Sequence, residues 1–464
     1  MAQLIPKSWT LTVAVLTLSL VSCSAPQPDL GRLYAMQENP EGQPPVVVIP
    51  GLLGSRIWDT RTQTESWPGS LFHLLFSDFN ALRLQIDPET LEPLPDGSEA
   101  RGITSEAAGQ DFYGKILEVL EDAGRYVMTE PGQPVVDQAK RYYVFDYDWR
   151  QDNVITVGKL DRFIEQIRRD HNDPDLKVDI IAHSMGGLVA RYFIRYGTVD
   201  VLNDNEFPVT NYGAQRIRRA ILLGTPNLGS VKSMQTLIDG FRLPFNRVPV
   251  EVVSTFPGGL QLLPHPLNDW LVKVDGEAIK RDHFEVDFWR RFEFAVFNPK
   301  VEERIIASYD DRAAGEAYVD VLHRFYEKHL ERARRFVWSL TVPIPEPQVR
   351  YILFGGNCNL TPARLLVEEV DGESKMRLWP KEIRNPRGDI DYKNLMLEPG
   401  DGVVTKASLL ARQTFDPTVA RHRYSFFPMD YAFFLCESHD KLTGNINFQD
   451  NLLHVLLNAD DVEL

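Results

Sequence analysis

The chain has 464 residues, 43% hydrophobic and 25% charged, an ordinary globular composition that can bury a large core. Its formal charge of −15 argues against nucleic acid as a partner, because a phosphate backbone requires a basic face. Lipid surfaces stay open to it, since local apolar patches engage them without net positive charge.

At the amino terminus, Lys7 precedes an apolar run over residues 9–21 that is short for a bilayer span and ends in Leu20-Val21-Ser22-Cys23. This reads as a bacterial lipoprotein signal over 1–22, with cleavage leaving Cys23 as a lipidated amino terminus. The expected product is an exported lipoprotein anchored to a cell-envelope membrane; a plain secretory signal is the alternative. Residues 23–44, with Pro26, Pro28, Pro40 and Pro44, read as a tether. The remaining cysteines, Cys358 and Cys436, suit either one disulfide or two buried thiols.

The β-branched run Val46-Val47-Val48-Ile49 between prolines predicts a buried strand, followed by the loop Gly51-Leu52-Leu53-Gly54. Helical spacing of apolar residues appears over 111–123 and 157–169, and strand-like runs over 141–145, 178–183 and 220–223. Strands alternating with helices of this length predict an α/β fold with a mostly parallel sheet covered by helices on both faces. The first part of this core spans 45–230 and its second part 346–464. Between them, 231–345 reads as a large inserted cap rich in Pro and Phe loops and then helices. Its clearest helix, 319–340, carries Leu322, Phe325, Leu330, Phe336 and Val337 on one face, expected to pack on a core rather than on a membrane. Strands at 349–354 and 431–436 and a helix at 448–457 close the chain.

Ser184 stands at the apex of the strand–turn–helix text Ala182-His183-Ser184-Met185-Gly186-Gly187, a small-x-Ser-x-Gly elbow in which Ala182 replaces the usual first glycine. A serine nucleophile needs an imidazole to take its proton and a carboxylate to hold the imidazole, in the chain order Ser, Asp, His. His439 follows the last strand, whereas His454 falls inside the final helix and His183 is expected to point away from the Ser184 hydroxyl. Asp401 lies in the tight loop Gly400-Asp401-Gly402; Asp389, Asp391 and Asp430 also satisfy the order. The alternative role for Asp401 is that of a turn aspartate bonded to its own backbone. Oxyanion donors are expected from the amides of Leu52 and Met185, with Leu53 the competitor of Leu52. Asp148 and Arg150 follow a strand and are read as a structural ion pair. No cluster with metal-ligand spacing appears, and no cofactor is expected.

These pieces together resemble the lecithin:cholesterol acyltransferase family, which includes lysosomal phospholipase A2 and phospholipid:diacylglycerol acyltransferases. The matching text is Pro50-Gly51-Leu52-Leu53-Gly54-Ser55, Tyr147-Asp148-Trp149-Arg150, Ala182-His183-Ser184-Met185-Gly186, Gly224-Thr225-Pro226, Phe256-Pro257 with Leu262-Leu263-Pro264, Gly400-Asp401, and His439. The resemblance implies an α/β-hydrolase fold with a lipid-handling cap and an acyl-enzyme on Ser184. Asp401 and His439 fall on the family's triad positions, and Leu52 and Met185 on its oxyanion positions. The chain departs from the family's animal members in lacking the paired cysteines of their membrane-contact loop. The equivalent stretch, 58–79, offers Trp67, Leu71, Phe72, Leu74, Leu75 and Phe76 as patch candidates, about half of them expected in the core.

The expected activity is serine-dependent acyl transfer from a lipid ester, phospholipid or neutral lipid, to water or an alcohol. A carboxylesterase or thioesterase on small soluble esters is the nearest rival. A non-catalytic lipid-binding lipoprotein is the rival of another class.

Overall fold

In the computed structural model, residues 27–35, 43–107, 110–267, 269–342, 348–411 and 427–458 are described. The signal segment, Cys23 and half of the proposed tether lie outside them. Within that tether stretch, helix Leu30–Tyr34 buries Leu30, and the Tyr34 hydroxyl donates to the Asp450 carbonyl at 2.8 Å.

The core is a seven-stranded sheet: β1 (Val46–Ile49), β2 (Val127–Met128), β3 (Arg141–Val144), β4 (Val178–His183), β5 (Ile217–Leu223), β6 (Arg350–Gly356) and β7 (Tyr431–Leu435). Their order across the sheet is β7-β6-β5-β4-β1-β3-β2, and every pairing is parallel. The edge strand β2 has both residues exposed and carries no apolar run, so nothing in the sequence announced it.

Side-chain alternation along each strand divides the core in two. Val46, Val48, Ile181 and Leu223 face α1 (Gly114–Asp122) and the last helix, while Val47, Ile49, Ile180 and Leu222 face α2 (Asn153–Asp170) and α3 (Met185–Tyr196). Helices thus cover both faces. Every residue of α3 is buried, because the cap closes over the side the sheet leaves open. α2 begins four residues before its apolar stripe because Asp152 caps it, accepting from Val154 N at 2.7 Å.

The cap enters after β5 and returns at β6, with α4 (Val231–Asp239) at its start and α5 (Arg312–Ser339) as its spine. α5 packs Leu322, Phe325, Leu330 and Phe336 inward, with Phe336 stacked on Tyr192 at 5.7 Å. Its Arg332 bonds Asp152 at 2.6 Å and Asp200 at 2.9 Å. A membrane-lying role for this face is therefore closed off by packing. Among the described residues, no helix is long and apolar enough to cross a membrane.

The cap also recruits chain from beyond residue 345, an addition to the single insertion read from the sequence. Strand Leu271–Lys273 pairs with Leu365–Val370, which pairs with Glu373–Arg377. A further excursion between β1 and α1 forms an antiparallel sheet of Ser55–Asp59, Thr64–Trp67 and Ser98–Ile103. It carries the short helix Leu71–Phe76.

The Tyr147-Asp148-Trp149-Arg150 segment ties these insertions to the core. Arg150, fully buried, donates twice to Asp148 at 2.8 Å, to Asp96 at 3.0 Å and to the Leu82 carbonyl at 3.1 Å. Trp149 donates to the Ser55 carbonyl at 2.9 Å and packs edge-on against Phe256 of the cap. Burial pushes the Asp148 carboxyl upward, but the Arg150 guanidinium overrides it and holds the group below its ordinary range. The pair is structural, as its sequence context suggested. Removing one partner of a buried ion pair strands the other charge, so Arg150→Met is predicted to cost about 3–5 kcal/mol in urea unfolding. A loss under about 1 kcal/mol would contradict this account.

Candidate active site

Parallel pairing brings the carboxyl ends of β1, β4, β5, β6 and β7 to one edge of the sheet, where α/β folds place their sites. Ser184 follows β4 directly. Its backbone sits at φ +53° and ψ −123°, a conformation costing about 1–3 kcal/mol that the surroundings must enforce. They do so on three sides. The Ser184 amide donates to the Leu223 carbonyl at 2.8 Å, extending the ladder to β5, and the Gly187 amide donates back to the Ser184 carbonyl at 3.0 Å. On the third side the chain after β1 presses against the turn. A Cβ on Gly51 would lie 2.7 Å from the Ser184 Cβ, and one on Gly186 would lie 2.4 Å from the Pro50 carbonyl oxygen. Ala182 is wholly buried between Ile49 and Leu222, which explains why a small residue suffices there.

The Ser184 Oγ lies 3.0 Å from His439 Nε2, and His439 Nδ1 lies 2.8 Å from Asp401 Oδ2. Asp401 is buried, and its other oxygen, Oδ1, accepts the amides of Val403 at 2.9 Å and Val404 at 2.7 Å. The turn role and the imidazole-holding role are thus both met, one by each oxygen. The two loops also meet through their backbones, His439 N donating to the Asp401 carbonyl at 3.0 Å. Cys358, just past β6, and Cys436, just past β7, form a disulfide with a Cα separation of 4.9 Å. That bridge pins together the roots of the loops carrying Asp401 and His439.

The alternatives have other employment. His454 is on the exposed side of the final helix, α6 (Ile446–Leu457), beside Asn458 at 2.6 Å. Asp389 pairs with Arg387, Asp391 caps helix Tyr392–Met396, and Asp430 pairs with Arg350 at 3.3 Å. His183 makes its contacts away from the serine hydroxyl, with Tyr113 and the His439 carbonyl.

The site opens into a cavity of about 560 Å³ lined by Leu52, Leu53, Leu75, Phe241, Leu243 and Leu262 among others. Past Leu52 and Leu53 a narrow apolar recess continues between Trp149, Val253 and Phe256. A larger groove of about 920 Å³ exists in the cap, but charged side chains line much of it and none of the three residues above is there. Leu52 forms the cavity wall beside Ser184, and Met185 opens α3, where first-turn amides lack intrahelical acceptors. Leu53 adopts φ +63°, and its carbonyl accepts from Trp67 Nε1 at 2.8 Å, which anchors the loop.

Of the patch candidates, Trp67 and Leu74 are buried and Leu75 is half-buried, while Phe72, Phe76 and the cavity-lining Leu71 are exposed. Phe245, 80% exposed at the tip of the hairpin Phe241–Arg242 to Arg247–Val248, joins them. Asn246 holds that hairpin to the Leu71–Phe76 helix, donating to the carbonyls of Leu74 at 3.1 Å and Ser77 at 2.9 Å. The sequence reading missed Phe245, although the Pro244-Phe245 tip within a Phe-rich loop was a usable signal.

The fold is that of the α/β-hydrolases. Residues 138–306 match the model of the lecithin:cholesterol acyltransferase family, which bears out the resemblance over that stretch of the chain. The family match supports a lipid-ester hydrolase or acyltransferase in general. Among solved structures, the Tle4–Tli4 complex aligns over 90% of this chain and 98% of that one, with 15% identity and a TM-score of 0.56, a likeness of fold. EstA from Clostridium botulinum aligns over 95% and 92% with 12% identity, but its TM-score of 0.36 carries no further argument. No curated protein matches the sequence significantly.

His439 feels two opposed effects. Burial lowers its pKa, but the charge and hydrogen bond of Asp401, with a smaller contribution from Asp440, raise it above the ordinary 6.5. Because the folded value exceeds the unfolded one, the pair stabilises the fold fully below about pH 6.5, and that contribution is lost as pH rises through the folded pKa. Imidazole NMR is predicted to show His439 titrating above 6.5 in the wild type and lower in Asp401→Asn, where desolvation is opposed only by the smaller contribution of Asp440. An unchanged titration in the variant would contradict the assignment.

Proposed function

We propose that the protein transfers acyl groups from lipid esters through an acyl-enzyme on Ser184. The observation that carries this reading is the hydrogen-bonded array Ser184–His439–Asp401 at the foot of a deep, mainly apolar cavity. Neutral His439 takes the Ser184 proton on Nε2 as Oγ bonds to the ester carbonyl carbon. The oxygen of that carbonyl gains the negative charge, received by the amides of Leu52 and Met185, each contributing roughly 3 kcal/mol by analogy with other hydrolases. Collapse breaks the bond to the leaving alcohol, which takes the proton back from Nε2. Water or a second alcohol then gives its proton to Nε2, attacks the acyl carbon, and Ser184 leaves reprotonated. Asp401 stays ionised throughout and stabilises the imidazolium. The reaction needs neutral imidazole, so activity rises with pH through the raised pKa of His439.

Several features favour a lipid over a small soluble ester. The cavity beside Ser184 is lined mainly by apolar side chains, and the exposed Leu71 and Phe245 lie on it, with Phe72 and Phe76 exposed on the same short helix as Leu71. Phospholipid vesicles containing a long-chain alcohol, assayed beside a soluble short-chain ester, separate the readings. Fatty acid or new ester from the vesicles supports lipid chemistry; turnover confined to the short ester supports the carboxylesterase alternative. Ser184→Ala is predicted to lose fluorophosphonate labelling and at least about 10⁴-fold in turnover, and His439→Ala to lose a comparable factor. Equal labelling of Ser184→Ala would exclude the acyl-enzyme.

Lipidation of Cys23 completes the proposal by holding the enzyme at an envelope membrane, where several acyl chains anchor stably and one does not. The mature amino-terminal peptide is predicted to carry the mass of acyl chains in the wild type and none in Cys23→Ala. A free amino terminus at another residue would point to plain secretion.

A further inference from the structure

Next to the triad runs a second hydrogen-bonded chain, built from groups that the acyl-transfer reading does not use. The Gly51 amide donates to the Tyr113 hydroxyl at 2.8 Å, the Tyr113 oxygen lies 2.7 Å from His183 Nδ1, and His183 Nε2 lies 3.2 Å from the His439 carbonyl oxygen. Donor and acceptor chemistry fixes every direction in it. A carbonyl can only accept, so His183 Nε2 carries the proton. Burial and the neighbouring His439 hold the His183 imidazole neutral, far below its ordinary range, which leaves Nδ1 as an acceptor. Tyr113, pushed upward by burial, keeps its proton and donates it to Nδ1 while accepting from Gly51. The order is Gly51 N–H to Tyr113 O–H to His183 Nδ1, then His183 Nε2–H to the His439 carbonyl.

The ends of this chain are informative. Gly51 immediately precedes the Leu52 amide and abuts the Ser184 turn, and His439 is the base. The His183 and His439 rings pack with centroids 4.8 Å apart, so the links lie in contact with the reacting groups. The Tyr113 ring is buried and packs edge-on against His183 at 5.6 Å.

We propose that Tyr113 and His183 are positioning residues that hold the loop of the Leu52 oxyanion donor in register with the loop of the His439 base. This rests on the acyl-enzyme reading. Neither residue touches the substrate's reacting atoms. Each removes one degree of freedom from the distance between the base and the developing oxyanion, where misplacement by about 1 Å can cost on the order of 100-fold.

The test uses the full-length protein and reads kcat and KM on a soluble ester together with the fluorophosphonate labelling rate. Tyr113→Phe deletes only the hydroxyl and is expected to lower kcat and labelling by about 10- to 100-fold with KM nearly unchanged. His183→Phe should do the same, and the double variant should be no worse than either single one, because two links of one chain act as a unit. A glutamine amide offers one acceptor and one donor, as neutral imidazole does, so His183→Gln should restore most of the loss. Thermal unfolding of each variant separates loss of fold from loss of register. Wild-type labelling with an unchanged kcat in Tyr113→Phe overturns the relay alone, as do losses that multiply in the double variant. Absence of wild-type labelling overturns the acyl-enzyme reading beneath it. If Tyr113→Phe does not fold, His183→Gln against His183→Phe decides the matter, and equal kcat in those two overturns the proposal.

Discussion

Everything at the site depends on one constraint, the uniformly parallel register of the sheet. Ser184 and His439 are 255 residues apart, yet their side chains meet because β4 and β7 run in the same direction and end at the same edge. The loop after β1 arrives at that edge for the same reason and brings Gly51-Leu52, while Asp401 is returned to it by strand Leu397–Gly400, paired antiparallel with Asn359–Pro362 just past β6. Reversing any of these strands would send its loop to the far side of the molecule. The left-handed turn at Ser184 is affordable only in this setting, where β5 satisfies its amide and the exit of β1 blocks relaxation.

The insertions depend on the same frame. Arg150 and Trp149, just past β3, reach Leu82, Asp96 and Ser55 of one excursion and Phe256 of the cap. Two lengths of chain that share no strand with the sheet are thereby held over its active edge. Asn246 then joins them to each other, so the exposed Phe72 and Phe76 of one and Phe245 of the other stand on joined elements. The cost of enclosing the site falls on His439, whose burial opposes its charged form and is offset by Asp401. An imidazole in that balance is kept oriented by a partner and yet remains able to give up its proton.

Much of the fold and site was legible because the signals are local. Val46-Val47-Val48-Ile49 can be little but a buried strand, and the text around Ser184 encodes strand, turn and helix within eleven residues. Asp401 and His439 could be named from chain order and from their loops. Strand β2 could not, because an edge with two exposed residues leaves no hydrophobic pattern. Nor could the pairing of Leu271–Lys273 with Leu365–Val370, since a contact across ninety-odd residues has no periodicity to betray it. Tyr113 is the sharpest case. It stands in Asp111-Phe112-Tyr113 as an unremarked aromatic before a helix, and its importance lies wholly in what folding places against its hydroxyl.

By itself, then, the sequence determined which residues were candidates to attack, to accept a proton and to hold the acceptor, and which runs are stiff and apolar enough to be strands. Those properties belong to side chains and short segments, and they survive without knowledge of the rest. Tertiary structure alone decided that Asp401 divides its two oxygens between a turn and an imidazole, that His183 turns toward the base's carbonyl, and that Phe245 joins a patch begun far away. Each is a relation between loops whose separation is set by strand register. Distance and direction of that kind exist only once the sheet has formed.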